Sequence, residues 1–551
     1  MSDESEAASL TADDSAGQTR GQAMMRESGK LSLLTMVSRI LGLLREMTRA
    51  TLMGTSPLGE SFTVAYNTPN LFRKLLAEGA MSTAFIPTMK GYFAAGDDKS
   101  SQDFLSATFT VLSLVTGLVV AAGIAGAYYI AATYGIMSAD ASVAHDIGET
   151  AFLIRLMFPY LALVSVAAFF QGILNAHGVF VPSGIGPILF NLSFLLVPPL
   201  LVLWVPNPAR AMALGVLVGG LLQAACQLPA LIKLGVRFRF VGLKSAFGNP
   251  GMKRVLLLML PTLLGMAVYE LNAFVSTGLA YGVGAATSIQ LSLRLQELIL
   301  GLFVVSIGTV MLPELAGLAI GQAWERFVDR FKRSMEAVVL VTMPVVVFAS
   351  LQRQNIVALL FQSGAFTAES VRLTAEIFLY HCLGLLFIAL NRIIAPAFYA
   401  LKDTRNPAWA GSAAFLLNML LAWQFSRHFQ GYGIALALSV ASALNTVILV
   451  LMFLRKKVAG AGPAFLAVLL YSLKLLLLSV LAAVPVWLLG PVVQRGFAGF
   501  SSRLLFAGAP LLIATLMYGV VGIALLLLTR DPVAAYLLNA LQRRKKRSNR
   551  N

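Results

Sequence analysis

Charge is scarce in this 551-residue chain: Asp, Glu, Lys and Arg make up only 12% of it, against 58% hydrophobic residues and a mean hydropathy of +0.79. A soluble domain carries about 25% charged residues, so the shortage excludes a globular cytosolic or secreted protein and leaves an integral membrane protein. Cysteine is nearly absent. Cys226 and Cys382 both fall in apolar segments, which excludes a disulfide framework or a thiolate metal cluster, and neither is given a role. The four histidines lack metal-ligand spacing, and Ser/His/Asp and phosphate-loop motifs are missing, so neither an enzyme nor a cofactor is expected. Acid is the scarcer sign, 25 residues against 42 basic ones, for a net charge of +17. The basic surplus gathers at the ends of apolar segments, where membrane topology places it, which argues against nucleic acid as a partner. Residues 1–30 lack the apolar core of a signal peptide and read as a disordered cytoplasmic tail.

What is present is a succession of apolar segments joined by short loops. Windows of about twenty apolar residues place spans near 31–54, 60–90, 104–133, 150–174, 182–204, 209–232, 254–281, 286–317, 335–359, 370–400, 408–426, 432–454, 464–490 and 503–529. The fold class is therefore an all-α polytopic membrane protein with about fourteen transmembrane helices. An even count puts both termini on one side. Loops on that side hold roughly 27 Lys and Arg residues against about five opposite, so both ends are expected in the cytoplasm. The basic tail at 530–551, with Arg543, Arg544, Lys545, Lys546 and Arg547, suits anionic lipid headgroups.

An internal repeat supplies the architecture. TAFIPTMKGYFAAG at 83–96 resembles TVMLPELAGLAIGQ at 309–322, with Thr83/Thr309, Pro87/Pro313 and Gly91/Gly317 in register, and Pro182 stands to Pro407 at nearly the same offset. Six spans lie within that offset, so the halves share an orientation and are related by a pseudo-two-fold axis along the membrane normal, with a central site expected between them. The expected organisation is an N-lobe at 31–234, a C-lobe at 235–458 and two surplus helices at 459–529 that form a groove.

The stretch 60–96 is apolar enough to span, yet it carries Glu60, Arg73, Lys74 and Glu78. Each charge near mid-span costs roughly 2.5–3.5 kcal/mol, so such residues normally face a bundle interior or watery cavity. Pro69, with Asn67 and Asn70 beside it, is expected to bend or open the helix just before Arg73. On the first span Arg39 and Arg45 lie six residues apart around Gly42, while Arg49, near the span's end, reads as snorkelling to the interface, as do Arg155 and Arg372. Arg294 lies deep in the second lobe, where Glu297, one turn on, is a candidate structural partner. In the first two spans Arg39, Arg45, Arg49, Arg73 and Lys74 outnumber Glu46, Glu60 and Glu78 by two. A cationic excess in a low-dielectric cavity calls for an anion, and arginine forks match phosphate oxygens, so the inferred ligand is a phosphorylated, lipid-borne molecule. Lys474, deep in the thirteenth span, either snorkels toward the cytoplasm or helps attract a lipid head to the groove. Glu270 and Asn272 read as a structural polar contact or a coupling-cation site.

The run SRILGLLRE at 38–46, followed by PNLFRKLLAEGAMSTAFIP at 69–87, resembles the signature of the MurJ (MviN) lipid II flippases, within the multidrug/oligosaccharidyl-lipid/polysaccharide exporter superfamily. The resemblance extends from Leu31 to about Thr529. It implies two six-helix lobes plus two C-terminal helices, and an activity that moves the undecaprenyl-pyrophosphate-linked peptidoglycan precursor from the cytoplasmic to the periplasmic leaflet of the inner membrane. By the resemblance, Arg39, Arg45, Arg73 and Arg294 are substrate-binding arginines, Glu78 is their acidic partner, and a basic residue at the position of Lys474 lines the groove. Two positions depart from some members: Asn67 stands where they have lysine, and Leu293 where they have an acid.

Three classes of function are weighed: a lipid II flippase working by alternating access, a cation-coupled exporter of drugs or of another polyprenyl-linked oligosaccharide, and a polyprenyl-phosphate transferase. The second wants a neutral or acidic cavity and the third wants catalytic groups, so the arginines and surplus helices favour the first. Lipid II and anionic membrane lipids are the expected partners, with the chain acting as a monomer. Because basic residues crowd 233–254 and the C-terminal tail, reporter fusions at Gly248 and Asn551 are expected to report the cytoplasm, and periplasmic reporter activity at either overturns the topology.

Overall fold

The computed structural model describes residues 33–75, 84–137, 146–201 and 203–535. All regular structure among them is helical, as expected of a chain that must satisfy its backbone within the bilayer. The first helix, α1, covers 33–53. It is followed by α2 (Pro57–Arg73), α3 (Ile86–Ala95), α4 (Asp98–Ala125), α5 (Ala127–Ile136), α6 (Ile147–Met157), α7 (Pro159–Ala176), α8 (Val181–Leu201), α9 (Pro208–Ala225), α10 (Leu228–Lys233), α11 (Leu243–Gly248) and α12 (Pro250–Gly282). Then come α13 (Ala286–Ile320), α14 (Trp324–Leu351), α15 (Arg353–Phe361), α16 (Ala368–Ala400), α17 (Arg405–Leu454), α18 (Ala461–Phe497), a π-helical turn at Leu504–Gly508 and α19 (Ala509–Leu528).

Among the described residues nine helices are long and apolar enough to cross a membrane. α17 runs for 50 residues and breaks at Gln430, whose φ of 49° lies outside the helical region, so it supplies the segments expected at 408–426 and 432–454. The remaining expected segments coincide with single helices or with pairs such as α6 and α7, except 60–90, of which residues 76–83 lie outside the described residues. The polar caps are local. Asp97 accepts from the Ser100 amide at 3.0 Å, Asp146 from Glu149 at 2.8 Å, and Asn207 from Ala209 at 2.9 Å. Pro182 and Pro407, matched in the repeat, both fall in the first turn of a helix, where a missing amide costs nothing. The other matched prolines differ in setting: Pro87 opens α3, whereas Pro313 lies inside the continuous α13.

The chain divides into two compact units. The first comprises Met1–Met53, Ser61–Thr133 and His145–Glu270, and the second Gly54–Glu60, Tyr134–Ala144 and Leu271–Asn551. The first is held by an aromatic core in which Phe85 stacks on Phe104 at 5.5 Å and Phe169 meets Phe85, Phe109 and Phe238 at 5.6–5.7 Å. Phe238 carries the segment between α10 and α11 onto this core, and the amides of Arg239 and Val241 donate to Ser106 and Thr110 of α4. In the second, Phe331, Phe453 and Phe465 join α14, α17 and α18 at 5.2–5.7 Å. Small side chains let α16 and α17 approach: a Cβ on Gly384 would meet Ser439. α18 and α19 expose leucines such as Leu477, Leu488, Leu512 and Leu516, as a lipid-facing surface would.

Two expectations about 60–96 are corrected here. α2 continues through Pro69 to Arg73, and the departure from regular helix follows Arg73 as a π-helical turn at 74–75. The Asn70 side chain donates to the Tyr66 carbonyl at 2.9 Å and that of Thr68 to Val64 at 2.8 Å, so carbonyls around the proline stay engaged. Glu60 is not a cavity charge. Buried to 4% exposure, its carboxylate accepts from the amides of Ala286 at 2.6 Å and Thr287 at 2.9 Å, capping α13 across 226 residues of sequence. The turn feeding it needs Gly54, with φ of 58°, because a Cβ there would lie 2.2 Å from the Ala365 carbonyl oxygen. Hydrogen bonds to a charged acceptor contribute about 1.5–3 kcal/mol each. Glu60→Ala, which leaves two amides without an acceptor, is therefore expected to lower the melting temperature clearly in lipid nanodiscs, with Glu60→Gln intermediate; wild-type melting by the alanine variant would contradict the cap.

Candidate functional site

Two of the three arginines of α1, Arg45 and Arg49, are organised around one carboxylate. Glu46, 5% exposed, receives Arg45 Nη2 at 2.8 Å and Nε at 3.3 Å through Oε1, while its Oε2 lies 3.2 Å from Arg49 Nη2. Two cations of one helix thus share an anion. Arg49 is thus not an interfacial snorkelling residue, because it is 4% exposed and also donates to Thr63 at 3.3 Å. Burial next to an acid one turn away supplies the physical reason: the ion pair replaces water as the solvent of the guanidinium.

Arg45 is gripped from α8 as well. Asn191 accepts from Arg45 Nη1 at 3.2 Å and donates to the Ser38 carbonyl at 3.1 Å, spanning the α1 turns on either side of Gly42. The guanidinium carbon lies 5.3 Å from the ring centre of Phe194 and 5.9 Å from those of Tyr66 and Phe190. Three of the five guanidinium N–H groups are engaged, and the other two have no partner among the described residues. Such a group, 13% exposed and orientated by fixed neighbours, is preorganised to receive an anion.

Arg39, two turns before Arg45, is exposed. Arg73 ends α2 half-buried, with its Nε donating to Asn70 at 2.9 Å. Asn70 therefore serves the Tyr66 carbonyl and the arginine at once. Lys74 lies 3.4 Å from Glu270 and 5.6 Å from the ring centre of Tyr269 on α12. Asn272 accepts from Asn418 at 2.9 Å. Glu270 and Asn272 thus each make a side-chain polar contact. Glu78 lies outside the described residues. These arginines belong to the first unit, and Arg294 belongs to the second. There Arg294 Nη1 meets Glu297 Oε2 at 2.9 Å, the pairing that the one-turn spacing suggested. With the carboxylate 62% exposed, that pair is cheap to open. Arg155 and Arg372 are exposed, as interfacial residues would be.

Lys474 does not stand alone. Its Nζ lies 2.7 Å from Asp531 Oδ2, just past α19, and Tyr471 donates to the other oxygen at 3.0 Å. Burial pushes the Asp531 carboxyl up, but the bonds from Lys474, the Ala534 amide and Tyr471 outweigh it and hold the acid below its ordinary range. No cluster of metal-ligating side chains occurs among the described residues.

The model of a family described as lipid II flippase MurJ matches residues 49–507. The chain belongs to the MurJ lipid II flippase family. The probable lipid II flippase MurJ of Treponema pallidum (strain Nichols) is 40% identical over 529 residues, covering 94% of this chain and 98% of its own. The lipid II flippase MurJ of Burkholderia cenocepacia is 29% identical, covering 81% and 86%. A solved lipid II flippase MurJ in an inward closed conformation superposes with a TM-score of 0.72 at 23% identity, covering 91% of this chain and 99% of that one. An inward-facing multidrug resistance MATE family transporter of the MOP superfamily gives 0.61 at 14% identity, covering 79% and 98%. The last two show a shared fold.

Within this MurJ-family chain, three positioning residues escaped the reading of the sequence. Asn70 was detectable, since it precedes Arg73 by one helical turn. Asn191, 146 positions from Arg45, and Asp531, 57 from Lys474, carried no local signal beyond being polar groups beside apolar runs.

Proposed function

We propose that the protein moves lipid II from the cytoplasmic to the periplasmic leaflet of the inner membrane by alternating access, binding the pyrophosphate through Arg39, Arg45, Arg73 and Arg294. The observation that carries this reading is Arg45, a mostly buried guanidinium held by an acid, an amide and three aromatic rings with two N–H donors uncommitted among the described residues. Family membership over residues 49–507 supports the substrate. A pyrophosphate supplies the acceptors and negative charge that such a fork matches bidentately, which a drug cation does not.

The charges also suggest how transport is timed. α1 itself carries Arg39, Arg45 and Arg49 against Glu46, a positive excess in its sequence. Without ligand, like charges oppose any movement that crowds these arginines, and the arriving phosphates remove that penalty. Glu78 limits the excess. Arg294 exchanges the exposed Glu297 for a phosphate at small cost. The two C-terminal helices guide the polyprenyl tail past Lys474. In this reading both termini are cytoplasmic, the chain works as a monomer without a catalytic step, and the basic tail rests on anionic lipid.

Each of Arg39, Arg45, Arg73 and Arg294 changed to Ala is expected to reduce lipid II flipping, with Arg45→Ala lowering it tenfold or more, roughly the loss of one charge-assisted contact. Lysine is expected to restore only part of the activity, because it keeps the charge and loses the fork. The assay is dithionite- or lectin-type accessibility of lipid II in vesicles holding equal amounts of inserted protein. Full activity of the alanine variants at normal insertion would make the arginines structural.

A further inference from the structure

Asp531 is a buried acid to which neither the fold nor the arginine constellation assigns a part. It follows α19 at 2% exposure, and its two oxygens are used unequally. Oδ1 accepts from Tyr471 at 3.0 Å, from the Val533 amide at 3.1 Å and from the Ala534 amide at 3.0 Å, whereas Oδ2 accepts from Lys474 at 2.7 Å. One oxygen thus caps the turn that follows and anchors the group to α18, and the other is dedicated to the lysine.

Lys474 is open on its other side. Its side chain is 36% exposed against 0% for Asp531, and two of its three N–H groups have no partner among the described residues. The neighbouring face of α18 exposes Leu470, Leu473 and Leu477 at 54–60%, the surface a prenyl chain would lie on. A lone ammonium on an apolar face would hold a phosphate strongly, since little solvent screens it. A fixed buried carboxylate at 2.7 Å cancels most of that field while leaving the donors available.

We propose that Asp531 is a positioning residue that sets how strongly Lys474 retains a phosphate-bearing polyprenyl lipid, keeping the groove a passage. The proposal rests on the reading of α18 and α19 as the lipid groove. It makes the pair tunable: weakening the acid traps the lipid, and removing the lysine abolishes the effect of the acid.

The test uses the full chain in lipid vesicles, with flipping measured against lipid II concentration for wild type, Asp531→Asn, Lys474→Gln and the double variant. Asparagine keeps an acceptor for the two amides and Tyr471, so the turn is retained. Asp531→Asn is expected to lower both the half-saturating lipid II concentration and the maximal rate, each by roughly three- to fivefold, and the double variant is expected to match Lys474→Gln. Should Asp531→Asn fail to insert, Tyr471→Phe replaces it. Freed of one competing donor, the carboxylate keeps more of its negative charge for Lys474, and the half-saturating concentration is expected to rise. Unchanged or oppositely shifted constants, or an effect of Asp531→Asn that survives in the Lys474→Gln background, would overturn the proposal. If wild type itself moves no lipid II, the transport reading fails instead.

Discussion

A charge taken out of water must be given another solvent, and the partners of the buried charges explain most of what is specific in this structure. Glu46 is shared by Arg45 and Arg49, Glu60 by two helix-terminal amides, Glu270 by Lys74, and Asp531 by Lys474, Tyr471 and two amides. Desolvation of an ion in a low-dielectric interior costs several kcal/mol, and none of these groups could stay charged on apolar contacts alone. These buried charges differ in how fully their partners engage them. Glu60 is consumed in capping α13, and Arg49 and Lys74 each have an acid within 3.4 Å. Arg45 instead keeps two donors uncommitted among the described residues.

The scaffold makes that distinction possible. α1 is held to α8 through Asn191, and the rings of Phe190 and Phe194 on α8 and Tyr66 on α2 surround Arg45. A guanidinium confined this way loses little entropy on binding an anion, because its orientation is settled beforehand. Lys474 has a different setting, with its partner fixed and buried and its own side chain partly exposed.

The helical architecture was legible in the sequence because twenty-residue apolar windows leave few alternatives, and the break in α17 was legible from the polar residues between 426 and 432. The pairing of Arg294 with Glu297 was legible too, being one helical turn in span. Pro69 misled because a missing amide was read as a break, while side chains of Thr68 and Asn70 keep neighbouring carbonyls engaged and α2 runs on to Arg73. Arg49 and Glu60 misled for a different reason. Position in a span says that a charge needs a partner but not which one, and the partners of Glu60 lie 226 and 227 residues away. The acid beside Lys474 was hidden in the same way, since a residue just past the last span reads as an interfacial charge until the chain is seen to turn back.

The proposed transport rests on a cationic, preorganised arginine constellation that carries a pyrophosphate-linked lipid across the membrane. It is tested most directly in cells that depend on this chain as their only lipid II flippase, by measuring the fraction of lipid II open to a periplasmic cleavage reagent as the protein is depleted. This fraction is expected to collapse while total lipid II accumulates; a fraction that stays at its starting value after depletion would rule the transport out.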